Sequence, residues 1–122
     1  YLQGRKHQQA MPRALAPIAA LRAAGVNVAA GWDNLQDPFN PVGRGDCLET
    51  AALMVMAGHL LPHEAFHSVS GAVRSMAGLP AAGTAVGYAA DLVLLPAATV
   101  REAIATGPGG RRVIMAGRLL PG

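Results

Sequence analysis

The chain is short of several things that would narrow its chemistry quickly. It has one cysteine, Cys47, so no intramolecular disulfide framework can form, and a reducing, cytoplasmic compartment is the expectation. Aromatic residues make up 4% of the sequence and charged residues 14%. The apolar share is 52%, but much of it is alanine. Alanine buries little area per residue, so the core is expected to be thin unless larger side chains complete it. No apolar run approaches the roughly 18 residues that span a bilayer, and no signal-peptide pattern is present, so no membrane partner is expected. The net charge of +3 comes from scattered residues and two short pairs, Arg5-Lys6 and Arg111-Arg112. Without a basic stripe flanked by aromatics, no nucleic-acid partner is expected. Gly43-Arg44-Gly45 lacks the ending of a phosphate loop.

What is present reads as alternating helix and strand. Residues 1–16 are a polar, basic lead-in punctuated by Gly4 and Pro12. A helix is expected from Pro17, because a missing N–H is harmless at the first helical position, with Gly25 as its left-handed stop. Val26–Ala30 then reads as a short buried parallel strand ending at Gly31-Trp32-Asp33-Asn34. A long loop follows from Leu35 to Gly45. Asp46 and Glu49 have the spacing of a capping box, opening a helix that fades near Gly58. Pro62 opens another helix and Gly71–Ala77 a third. After the glycine-rich stretch from Gly78, strands are expected at Asp91–Leu95 and Arg112–Ala116. A short helix capped by Thr99 lies between them, and Gly117–Leu120 extends the strand region.

In α/β architecture, ligands gather at the C-terminal ends of parallel strands. Asp33 falls at such an end, where a carboxylate can ligate a divalent metal or carry a proton. A solvated turn aspartate fits the same position, and Asp-Asn is common turn chemistry. His59, His63 and His67 are spaced four apart, but Pro62 prevents the single helix that would align them. They read as surface or helix-end residues, and His7 as solvent-exposed. Cys47 sits in a first helical turn, where a thiol can be acidified. With no histidine partner nearby in sequence, it reads as a packed small apolar side chain.

Particular segments resemble bacterial cytosine deaminases of the amidohydrolase superfamily. These are Tyr1-Leu2-Gln3-Gly4-Arg5, the proline-containing basic linker, and a helix ending in Ala24-Gly25-Val26-Asn27-Val28. Gly31-Trp32-Asp33-Asn34 follows in the family's spacing, then Asp37-Pro38 and Pro41-Val42-Gly43. The tail, with Ala72-Val73-Arg74, Ala90-Asp91 and Val113 through Arg118, is similar to the usual amidohydrolase ending. The resemblance implies an α/β fold: the C-terminal portion of a (β/α)8 barrel over residues 1–78, and strands returning to a small β-sandwich domain over 79–122. It implies hydrolytic deamination of cytosine or a related pyrimidine or triazine, a cyclic amidine substrate, with one divalent metal ion, zinc or iron. Asp33 would be the metal ligand and proton acceptor, and Phe39 and Asn34 would contact substrate. Family members often carry tryptophan at the Phe39 position and an acid at the Asn34 position.

The family's His-x-His, its later metal histidines and its acid/base glutamate have no counterpart here. A catalytic metal takes typically about three protein ligands, so Asp33 cannot hold one alone. The expectation is a fragment, silent and poorly stable by itself, that joins a missing N-terminal part of the barrel and is a homo-oligomer when intact. A start at Tyr1 rather than methionine fits that expectation. The alternatives are a stand-alone structural or interaction domain retaining remnants of the motif, and a complementing subunit that supplies Asp33 to a separate half.

Overall fold

Local chain chemistry accounts for most helix ends in the computed structural model, which describes residues 15–121. The Tyr1–Arg5 motif, His7 and Pro12 lie outside the described residues. Helix α1 spans Ile18–Ala23, starting one residue later than expected, with Pro17 at its N-cap. Gly25 takes φ +76. Its N–H donates to the Arg22 carbonyl at 2.9 Å and the Val26 N–H donates to Leu21 at 3.0 Å, the paired bonds of a Schellman ending.

Helix α2 spans Cys47–Met56, and Asp46 caps it by accepting the Leu48 N–H at 2.9 Å. The reciprocal arm of the expected box goes elsewhere. The Glu49 carboxylate accepts the Arg44 N–H at 3.1 Å instead of the Asp46 N–H. Beyond α2 the left-handed residue is His59, at φ +57, and Gly58 has a different use. A Cβ at Gly58 would lie 3.0 Å from Ile18 Cδ1 and 2.7 Å from the Met54 carbonyl oxygen. The bare backbone therefore lets α1 settle against the end of α2. Helix α3 spans Pro62–Ser68 with proline in its first turn, and the Leu61 N–H donates to Glu64 at 2.8 Å. Helix α4 spans Gly71–Met76.

The expected strand Val26–Ala30 does not form. A strand exists through its ladder, and no described segment pairs with this one. Its polar groups turn to the helices instead. The Ala30 N–H donates to Ser68 O at 2.9 Å and the Asn27 side-chain amide to Ala72 O at 3.0 Å. Val28 and Ala30 still pack on the core.

Three antiparallel strands, in the order β1-β2-β3, form the only sheet among the described residues: β1 Leu92–Leu94, β2 Arg112–Met115 and β3 Arg118–Leu119. Val93 pairs with Val113, and Ile114 with Leu119. Ala116 does not extend β2. With Gly117 it makes the two-residue hairpin turn, both at positive φ (+50 and +76), as the right-handed strand twist favours. Helix α5, Val100–Thr106, fills the β1–β2 connection, and Thr99 caps it by accepting the Glu102 N–H at 3.1 Å.

The core gathers Ile18, Leu48, Ala51, Met54, Leu60, Ala65 and Ile104. Ala51 and Ala65 are fully buried, so α2 and α3 meet over small side chains, and α5 closes the cluster with Ile104. No large side chain among the described residues is completely enclosed, in keeping with the thin core expected from composition. Among the described residues, no helix is long and apolar enough to cross a membrane.

Candidate functional site

Asp33 stands on the segment between α1 and α2, exposed, and its carboxylate makes no hydrogen bond or ion pair among the described residues. The two other aspartates of this connection are committed to building it. Asp37 Oδ1 accepts the backbone N–H of Phe39 and of Asn40, both at 2.9 Å, while Oδ2 accepts the Asn34 side-chain amide at 2.6 Å. The Asn40 amide returns to the Asn34 carbonyl at 3.0 Å. Asp37 therefore brings Asn34 and Phe39 to one carboxylate just after Asp33. These donors, the Asn40 N–H foremost, hold the Asp37 carboxyl below the usual carboxylate range. Gly43 closes the knot tightly, for a Cβ there would come 2.6 Å from Asn40 Nδ2.

At the other end of the loop, Asp46 receives a fork. Arg111 donates from its two terminal nitrogens to Asp46 Oδ1 at 2.8 Å and Oδ2 at 2.7 Å, across 65 residues of sequence. Arg111 Nε is itself held by the Pro108 carbonyl at 2.8 Å. The Asp46 carboxyl is pushed down chiefly by Arg111, with the Leu48 N–H adding to it, and the Arg111 guanidinium is correspondingly harder to deprotonate. Asp46 and Arg111 line a cleft of about 640 Å³ whose apolar wall includes Phe66, Val69, Val93 and Leu95.

Cys47 is exposed beside that cleft, which corrects the expectation of a packed small side chain. It is the first residue of α2 and is not among the residues that the helix buries, which include Leu48 and Ala51. His63 and His67 share α3 and line a second cleft with Arg22 and Glu64, while His59 sits in the turn before Pro62. The three histidines therefore do not share one helix face, as the proline implied. Among the described residues, no group of three His, Cys, Asp or Glu side chains is placed to hold a metal ion. Asp33 can supply one oxygen ligand, and the described residues do not complete a metal site around it.

Two contributors escaped the sequence reading. Asp37 was noted only as part of a motif, although an aspartate before proline in a turn is Asx-turn chemistry. Arg111 gave no local signal, because its partner is distant in sequence.

The carboxylates fix the acid response. Glu64, gripped by Arg22 at 2.7 Å and by the Leu61 N–H, is lowered from 4.5 to about 2. Asp91 is lowered by the Ala116 N–H and then by Arg74. Together with Asp37 and Asp46, these groups have folded-state pKa values below their unfolded ones. Their contribution to stability is complete above the unfolded values and is lost as pH falls through the folded ones. The melting temperature is therefore expected to be level above about pH 5 and to fall steadily below it. Scanning calorimetry across that range checks this, and a melting temperature that stays level down to about pH 2 would contradict the assigned contacts.

A family model described as the amidohydrolase family matches residues 1–121. No curated protein and no solved structure matches the chain.

Proposed function

Because the chain belongs to the amidohydrolase family, a family of hydrolases matched over residues 1–121, we propose that it contributes Asp33 to the active site of a metal-dependent enzyme that hydrolyses a C–N bond of a cyclic amidine. Cytosine, or a related pyrimidine or triazine releasing ammonia, is the substrate class. The observation that carries this reading is the contrast among the loop aspartates. Asp37 and Asp46 are consumed by structural contacts, while the Asp33 carboxylate is exposed and makes no hydrogen bond or ion pair among the described residues, on a segment tied at both ends. A carboxylate in that state can accept a proton from an attacking water and return it to the leaving nitrogen. Phe39 and Asn34 lie on the same knot, where they would meet substrate.

A zinc or iron ion, when bound, supplies Lewis acidity and lowers the pKa of water. Its remaining ligands come from outside the described residues. In this reading residues 1–78 end a (β/α)8 barrel and residues 79–122 lead back into a small sandwich. Val26, Leu53, Met56 and Met115 are all exposed, and they fit faces that other parts of such an enzyme would cover.

The test is ammonia release by the purified gene product from cytosine and from amino-triazines, before and after chelation. Activity lost to chelator and restored by zinc or iron is expected. A metal-loaded protein that hydrolyses none of these compounds would overturn the substrate class.

A further inference from the structure

We propose that Arg111 is a positioning residue for the candidate site: its two-pronged hold on Asp46 fixes the start of α2 and, through Gly45, the Trp32 and Leu35 side chains that bracket Asp33. This inference rests on the functional reading of Asp33 and adds to it a residue distant from it in sequence.

The path is short and continuous. Arg111 reaches both Asp46 oxygens, at 2.8 and 2.7 Å, and is itself anchored by Pro108. Asp46 also caps α2, so one carboxylate joins the α5–β2 turn to the helix that the site loop enters. Its neighbour Gly45, at φ +64, is where the loop folds back on itself. A Cβ there would lie 3.3 Å from Leu35 Cδ1 and 4.0 Å from Trp32 Cζ2. Leu35 and Trp32 thus rest on the bare backbone next to Asp46, and Asp33 and Asn34 span the short stretch between them. A forked guanidinium–carboxylate pair sets orientation as well as distance, which a single ammonium contact does not. The Asp46 side chain is only 16% exposed, so water weakens the pair less than it weakens the open Arg44–Glu49 pair.

The experiment compares Arg111→Met and Arg111→Lys with Arg22→Met in the gene product, following steady-state kinetics and peptide-resolved hydrogen exchange over residues 31–47. Arg22→Met removes another ion pair, Arg22–Glu64, which lines a different cleft from Asp46 and Arg111. Arg111→Met is expected to speed exchange in that peptide and to lower kcat by about 10- to 100-fold, as a displacement of about 1 Å does, with a smaller change in KM. Arg111→Lys should fall between it and wild type, and Arg22→Met should change neither readout. If Arg111→Met unfolds the whole protein, the lysine variant decides by the same two readouts. Faster exchange with unaltered kcat, or no difference from Arg22→Met, overturns the proposal. Wild-type protein without hydrolase activity would overturn the functional reading instead. The exchange arm would then still decide whether Arg111 holds this segment.

Discussion

Replacing Asp33 by asparagine is expected to lower kcat by about 10²- to 10⁴-fold, the range that a positioned acid–base group contributes. The same change should leave the melting temperature where it was. Both halves follow from the surroundings of Asp33. It is exposed and makes no hydrogen bond or ion pair among the described residues, so the amide removes no structural contact. In the proposed mechanism it does remove the proton acceptor and the anionic ligand. Asp37→Asn would read differently, because that carboxylate accepts three donors of the loop, and its loss should loosen the knot and alter KM as well. Kinetics paired with calorimetry on the two variants separates the roles. An Asp33→Asn protein with wild-type kcat would remove Asp33 from the chemistry.

Leu48→Ala is expected to cost about 2–5 kcal/mol, the usual range for truncating a buried leucine. Leu48 is 5% exposed and packs among Ile18, Met54, Leu60 and Ile104, with Ala51 and Ala65 between the helices. Those alanines cannot move to fill a cavity, because they have no side chain beyond Cβ. Domains are stable by only about 5–15 kcal/mol, so this one truncation removes a large share of the total. Leu53, on the same helix but 55% exposed, is the control, and Leu53→Ala should stay within about 0.5 kcal/mol. Urea unfolding of both variants gives the comparison. Equal midpoints would mean that the cluster around Leu48 is not the stabilising core.

Features encoded within a few residues were the legible ones. Gly25 as a helix stop, Asp46 and Thr99 as caps, Pro62 as a helix start and the two principal strands all lie where the local chemistry puts them. The stop, the caps and the helix start depend on dihedral preference or on one side chain reaching its own backbone, and the two strands have each other as partners. The readings that changed depend on partners. Val26–Ala30 has the composition of a strand, but a strand needs a neighbour, and its N–H and amide groups bond to α3 and α4 instead. Gly58 resembled a stop because glycine tolerates positive φ. His59 takes that conformation, and Gly58 makes room for Ile18. At the candidate site, the motif singled out Asp33, which the structure places exposed between α1 and α2. The contacts that hold its loop were only half so. Asp37 acts within three residues of itself, whereas no periodicity connects Arg111 to Asp46.

That separation also sets an order of events when the chain is made. Asp46 leaves the ribosome 65 residues before Arg111. At about 5–20 residues per second, that is a delay of roughly 3–13 s. The β2–β3 hairpin, closed by the turn at Ala116-Gly117, can form within microseconds of its own synthesis. The Asp33 segment must wait for Arg111 to be made before its α2 end is clasped. A nascent chain halted before Arg111 would carry the motif without that anchor.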